Sequence, residues 1–244
     1  MSPWTAAAGG AVGVCLLFFA LLRWPATGWS SGRSDWARRR QDFLLGLVAG
    51  FAGMAAIELT LVVLGAARLA RGSWPPSPVV AAGWAITALL IAGAQEGWFR
   101  GWALARISER WGFRTAALST SGVFVLIHAQ SGVVGLPAGI TLAGAVGLFL
   151  FGLAAAASVR ATGSIAWAVG AHAGWDYVGG FLLGAPAYGR APGQGGLWIF
   201  EPREVWEWAS GGAFGPEASP LALLALAAAA WGWLGVRPRH GPSH

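Results

Sequence analysis

Long apolar runs alternate along the chain with short stretches rich in arginine, glycine and proline. Seven runs approach the roughly 20 apolar residues that a membrane-crossing helix needs, at about 4–22, 43–66, 79–105, 115–130, 139–158, 164–184 and 219–236. The fourth is short and the third is long enough to project beyond a bilayer. The first does not resemble a signal peptide, because no Arg or Lys precedes it and no small-residue cleavage site follows. The stretch 185–218 is rich in Gly and Pro and carries Glu201, Arg203, Glu204, Glu207 and Glu217, which predicts an outer loop with a short interfacial helix. The polar end, 237–244, predicts a disordered tail in which His240 and His244 are solvated. No internal repeat stands out. The pattern predicts one all-α domain over 1–244, a polytopic transmembrane bundle of about seven to eight helices.

Composition strengthens this reading. Of 244 residues, 56% are hydrophobic and only 11% charged, against about 25% charged in a soluble domain. That is too little charge to cover a soluble surface. The net charge is +6 and all 16 basic residues are arginine. They are scattered between apolar runs, with no basic stripe interleaved with aromatics, so nucleic acid is not an expected partner. The one cysteine, Cys15, cannot form an internal disulfide and reads as a small packing residue. Trp4, Trp24, Trp29, Trp74, Trp111, Trp198, Trp206 and Trp208 flank the runs, where an aromatic belt meets the headgroups.

Arginine placement sets an orientation. With loop 23–42 in the cytoplasm, that side holds Arg23, Arg33, Arg38, Arg39, Arg40, Arg106, Arg110, Arg114, Arg160, Arg237 and Arg239. The outside holds Arg68, Arg71, Arg190 and Arg203. The expected topology is N-terminus outside and C-terminus inside.

An ionisable group at mid-bilayer costs about 2.5–3.5 kcal/mol on insertion scales, so those inside the runs carry information. They are Glu58, Gln95 (polar rather than ionisable), Glu96, Arg100, His128, His172 and Asp176. Glu96 and Arg100 are four apart and share a helix face, so they can pair. His128 ends an apolar helix with Phe124 one turn earlier. His172 and Asp176 again stand at i and i+4, among Gly170, Ala171, Ala173 and Gly174, which let another helix approach closely. Taken singly, each pattern reads as an ion-pair lock, a packed histidine or a helix seam. Depth joins them. At 1.5 Å per residue, Glu96, His128 and His172 lie roughly 15, 20 and 12 Å from the cytoplasmic ends of their runs. A carboxylate and two imidazoles converging at one depth can do proton-transfer chemistry. Glu58 belongs to no pattern and reads as a packed, protonated carboxyl or a partner for an arginine.

At these residues the chain resembles the CPBP family of intramembrane proteases, which includes the Rce1-like CAAX-processing endopeptidases. The family pattern is Glu-Glu-x-x-x-Arg, then Phe-x-x-x-His, then His-x-x-x-Asn/Asp on three helices. Here the three fall at 95–100, 124–128 and 172–176, within a polar-motif region of about 80–185. The flanking Phe99-Arg100-Gly101-Trp102 and Gly211-Gly212-Ala213-Phe214-Gly215-Pro216-Glu217 match the bacterial members, which implies a bacterial inner membrane. The resemblance implies hydrolysis of peptide bonds in membrane-embedded or membrane-associated peptides and proteins, without a metal or other cofactor. It makes His128, together with the first position of motif one, the water-activating side. It makes His172 and Asp176 the oxyanion side, with Arg100 and Phe124 orienting the site.

Two positions depart from the pattern. Where the first glutamate is expected stands Gln95, and an amide cannot accept a proton from water. Three explanations stay open: a replacement that traps an inactive state, a pseudo-protease that binds without cutting, or Glu96 acting as base after a rotation. Where the oxyanion side usually offers Asn stands Asp176, whose ionised form repels an oxyanion; the expectation is that it is protonated or paired with His172. The competing functions are a non-catalytic scaffold for transmembrane segments and a small transporter with a buried Glu/His relay.

Overall fold

The computed structural model describes residues 36–72, 77–131, 141–187 and 196–237. The run expected at 4–22, Cys15, Arg23, Arg33 and all of the tail beyond Arg237 lie outside the described residues. In chain order the elements are α1 (Trp36–Val63), β1 (Ala67–Arg71), α2 (Pro78–Glu96, continuing as a π-helix Gly97–Ala103) and α3 (Leu104–Ser131). Then follow α4 (Leu142–Thr162), α5 (Ala166–Tyr177, continuing as a π-helix Val178–Leu182), β2 (Trp198–Pro202), α6 (Glu207–Ser210) and α7 (Pro220–Gly235). The chain is predominantly helical, as its apolar pattern predicts.

Among the described residues, three helices are long and apolar enough to cross a membrane: Trp36–Val63, the run Pro78–His128, and Leu142–Thr162. The two runs expected at 79–105 and 115–130 thus form one helical stretch, broken at Gly112, whose φ of 79° and ψ of 162° no helix contains. A glycine tolerates that backbone where other residues strain. The break folds α3 back along α2. Phe113 lies under the Arg160 guanidinium at 5.0 Å, and Arg160 Nη2 donates to the Leu234 carbonyl at 2.8 Å. The turn at Gly112, the end of α4 and the end of α7 therefore share one end of the bundle. The run expected at 219–236 appears as a 16-residue helix, α7. Ser219 caps it by accepting from Ala222 N–H, and Pro220 occupies its first turn.

The opposite end is closed by the strands. β1 and β2 pair antiparallel with Leu69 opposite Phe200 and Arg68 opposite Glu201. Phe200 is fully buried against Met54, Ile57, Leu61 and Val178. The all-helical expectation missed this pair. A strand needs partners for its N–H and C=O groups, and here each supplies the other, with Phe200 N–H also donating to the Leu183 carbonyl.

Close packing of α1 on α5 sets the height of the site. A methyl group on Gly50 would lie 1.9 Å from the Ala171 carbonyl oxygen, and one on Gly174 would lie 2.4 Å from that of Leu47. Gly46 and Gly170 are equally hemmed in by Trp167 and Phe43 backbone. One pair of glycines spaced by four on each helix thus lets the backbones touch. The seam expected around His172 exists, and α1 is its partner. Large apolar side chains meanwhile point outward: Leu45 and Val48 on α1, Leu90 on α2, Leu126 on α3 and Leu224 on α7. So much contiguous apolar surface suits lipid rather than water.

Candidate functional site

Glu96 closes α2 and is wholly buried, as is Arg100. Glu96 Oε1 accepts from Arg100 Nη1 at 3.3 Å and from His172 Nδ1–H at 2.8 Å. The expected ion pair is present within α2 and its continuation, and the bond from His172 ties α2 to α5. The π-helix beginning at Gly97 widens the backbone at this point, a distortion that recurs at functional sites. The guanidinium is sandwiched by rings, 4.6 Å from the Phe124 centroid and 5.4 Å from that of Phe99. Such contacts stabilise a desolvated cation by about 2 kcal/mol or more. A methyl group on Gly152 of α4 would sit 2.9 Å from Arg100 Nη2 and 2.7 Å from Ser121 Oγ. Arg100 therefore fills a slot cut for it in the protein interior.

Phe124 serves motif two twice. Its ring covers Arg100, and its carbonyl accepts a hydrogen bond from His128 Nδ1 at 2.7 Å. A carbonyl only accepts, so Nδ1 carries the proton and a neutral His128 holds its lone pair on Nε2. His128 also stacks on Phe124 at 4.2 Å. On α5, His172 Nε2 lies 3.6 Å from Asp176 Oδ2, the i and i+4 partners that the helix face predicts, just beyond hydrogen-bond reach. A second π-helix, Val178–Leu182, follows directly.

Gln95, His128, His172 and Asp176 line one cavity of about 520 Å³, between α2, α3 and α5. Glu96 and Arg100 are sealed behind its wall. Adjacent helix positions point about 100° apart, and that angle separates the cavity-facing Gln95 from the interior Glu96. Gln95 Oε1 is buried without a hydrogen-bond partner.

Two acidic residues complete the surroundings. Glu217 sits on the turn Pro216–Ala218 between β2 and α7 and lines the same cavity. Its Oε1 accepts from Trp175 Nε1 at 2.8 Å, while Oε2 is buried without a partner. Sequence reasoning left Glu217 in an outer loop. Around it, Phe200, Phe214, Pro216 and Ala218 are buried. The signal was an acid set between Pro216 and Ala218 in a run of glycines, a poor composition for a wet loop. Glu58 of α1 is fully buried, with no hydrogen-bond partner for either oxygen, and within electrostatic range of Glu217 rather than beside an arginine. Among the described residues, no three His, Cys, Asp or Glu side chains are grouped to hold a metal ion.

Residues 77–178 match the family described as type II CAAX prenyl endopeptidase Rce1-like. The matched segment is under half of the chain, yet it contains all three motifs and ends two residues beyond Asp176. No curated protein and no solved structure matches the chain. The Rce1-like resemblance read from the motifs is thus shown, and that family is a protease family. With its three long apolar helices, the chain is an integral membrane protein with a CAAX-protease-like region.

Proposed function

We propose that this protein is an intramembrane endopeptidase that hydrolyses peptide bonds of membrane-associated peptides or proteins at the cavity between α2, α3 and α5. The observation that carries the reading is convergence. One residue from each motif, Gln95, His128 and His172, reaches a single cavity large enough for a peptide segment. His128 presents Nε2 as the basic nitrogen because Phe124 holds its other nitrogen protonated. A histidine held this way can take or give a proton at Nε2 during hydrolysis. The activity of the matched family supports a C-terminal prenylated peptide as the first substrate to try. We place the protein in a bacterial inner membrane, N-terminus outside and C-terminus inside. Arg38, Arg39, Arg40, Arg110 and Arg114 cluster toward the end of the bundle that holds the Gly112 turn, and Arg68, Arg71 and Arg203 toward the strand end.

The test is cleavage of a farnesylated, internally quenched CAAX peptide by the purified chain in liposomes, alongside Gln95→Glu and His128→Ala. Gln95→Glu keeps or raises cleavage, and His128→Ala lowers it about 10²–10⁴-fold. Ion or solute flux with no cleavage by any variant would replace this reading with the transporter. A second reading is favoured by one observation. The amide of Gln95 faces the cavity where the family has a carboxylate, which suits a scaffold that binds transmembrane peptides without cutting them. Peptide binding that survives loss of Gln95, His128 and His172 together would establish it.

A further inference from the structure

Compared with the family pattern, this chain exchanges two functional groups. The carboxylate of motif one has become the Gln95 amide, and the amide frequent at the end of motif three is the Asp176 carboxylate. Charge and hydrogen-bond donor have changed places across one cavity. The structure adds a third group at the acidic end. A small cavity of about 20 Å³ adjoins the large one and shares His172, Trp175, Asp176 and Glu217 with it, its remaining wall being rings and aliphatic groups such as Phe124, Phe151 and Leu226. A water needs about 10–15 Å³ and two to four polar partners. This cavity has room for one water, and its lining includes an imidazole and two carboxyl groups. Of these, Asp176 Oδ2 is directed to His172, whereas Glu217 Oε2 is buried and unpartnered.

We propose, building on the endopeptidase reading, that Glu217 is the water-activating carboxylate of this site and that the reaction runs with its sides reversed, water at the His172–Asp176–Glu217 end and the scissile carbonyl oxygen at the Gln95 end. Glu217 Oε2 takes one proton from the water as the water oxygen bonds to the carbonyl carbon and the C=O electron pair moves to oxygen. The oxyanion then meets the Gln95 amide, whose N–H groups donate as a glutamate's oxygens could not. It also forms away from Asp176, whose charge would repel it. Collapse restores the C=O, breaks the C–N bond and returns the proton from Glu217 to the leaving nitrogen, giving a carboxyl and an amine. Burial pushes the Glu217 carboxyl up to about 7, close to where a general base works best. The charged or titratable groups facing it are Asp176 and His172 on α5 and Glu58 on α1. Below that pH Glu217 is protonated and idle, so the rate rises as pH passes upward through neutrality.

The experiment compares wild type, Glu217→Gln, Gln95→Glu and the double variant on the farnesylated quenched peptide in liposomes, with melting temperature measured for each. Glu217→Gln keeps a side-chain oxygen that can accept the Trp175 N–H. The expected result is a loss of kcat of about 100-fold or more in Glu217→Gln at unchanged melting temperature. The acidic limb of the wild-type rate disappears with it, and activity returns when Gln95→Glu is added. Cleavage by Glu217→Gln within about threefold of wild type overturns the proposal, because a lost general base costs at least 10²-fold. So does cleavage by Gln95→Glu when wild type has none, which leaves the endopeptidase fold reading intact. A loss accompanied by a lower melting temperature marks Glu217 as a clamp on Trp175 and also overturns it. Silence from all four proteins strikes the endopeptidase reading itself, and the role of Glu217 falls with it.

Discussion

Glu96 and Gln95 are neighbours in sequence and opposites in environment. Glu96 belongs to a dry polar core with Arg100, Ser121 and the rings of Phe99 and Phe124, where every charged group is wholly buried. Gln95 belongs to a cavity wall with His128, Asp176 and Glu217. In the core, Arg100 and His172 donate to one oxygen of Glu96, and the bond from His172 joins α2 to α5. Both regions keep buried polar atoms without hydrogen-bond partners, Gln95 Oε1 and Glu217 Oε2 in the wall and Glu96 Oε2, Arg100 Nη2 and Ser121 Oγ in the core; what separates them is that the wall faces a cavity. A motif that reads as one catalytic unit is therefore divided by a single helix step into a buried, ion-paired half and a cavity-facing half.

This division is open to direct attack through stability. The largest effect belongs to Arg100→Met. It leaves Glu96 as a buried charge with only His172 beside it, and such losses cost about 3–5 kcal/mol. Thermal unfolding in detergent measures it, and a cost under about 1 kcal/mol, no more than an exposed ion pair contributes, would mean that the core is not what holds α2 and α5 together. Gly152→Ala comes next. Its new methyl group meets Arg100 Nη2 at 2.9 Å and Ser121 Oγ at 2.7 Å, and overpacking of this kind costs about 1–3 kcal/mol. The same unfolding measurement checks it, and a second-site Ser121→Ala should recover part of the loss by freeing space. Gln95→Ala is the smallest in stability. The side chain is directed to the cavity and forms no hydrogen bond through Oε1, so its removal should change stability by about 0.5 kcal/mol or less, as for substitutions outside a packed core. A large loss there would merge the two regions into one structural unit.

Much of the local arrangement was legible in the sequence. The apolar runs announced membrane-crossing helices, and spacing by four announced the Glu96–Arg100 pair and the approach of Asp176 to His172. The glycines around His172 announced a close helix partner. Each of these rests on the period of the α-helix, which depends on nothing beyond a few neighbouring residues. The limits of legibility are equally physical. A helix period tells which residues share a face, but not what that face meets. Nothing local says that Gly46 and Gly50 are the partner of Gly170 and Gly174, or that α3 turns back at Gly112 to bring His128 level with Gln95.

By itself, then, the sequence determined that this is a membrane helical protein of Rce1-like character with three polar motifs on three helices, because hydrophobic run length and helical spacing are properties of the chain alone. Only the tertiary structure decided that Glu96 is buried structure and Gln95 is cavity wall. It alone drew Glu217 inward from a segment far along the chain, since a residue's surroundings are set by whichever helices and turns pack against it.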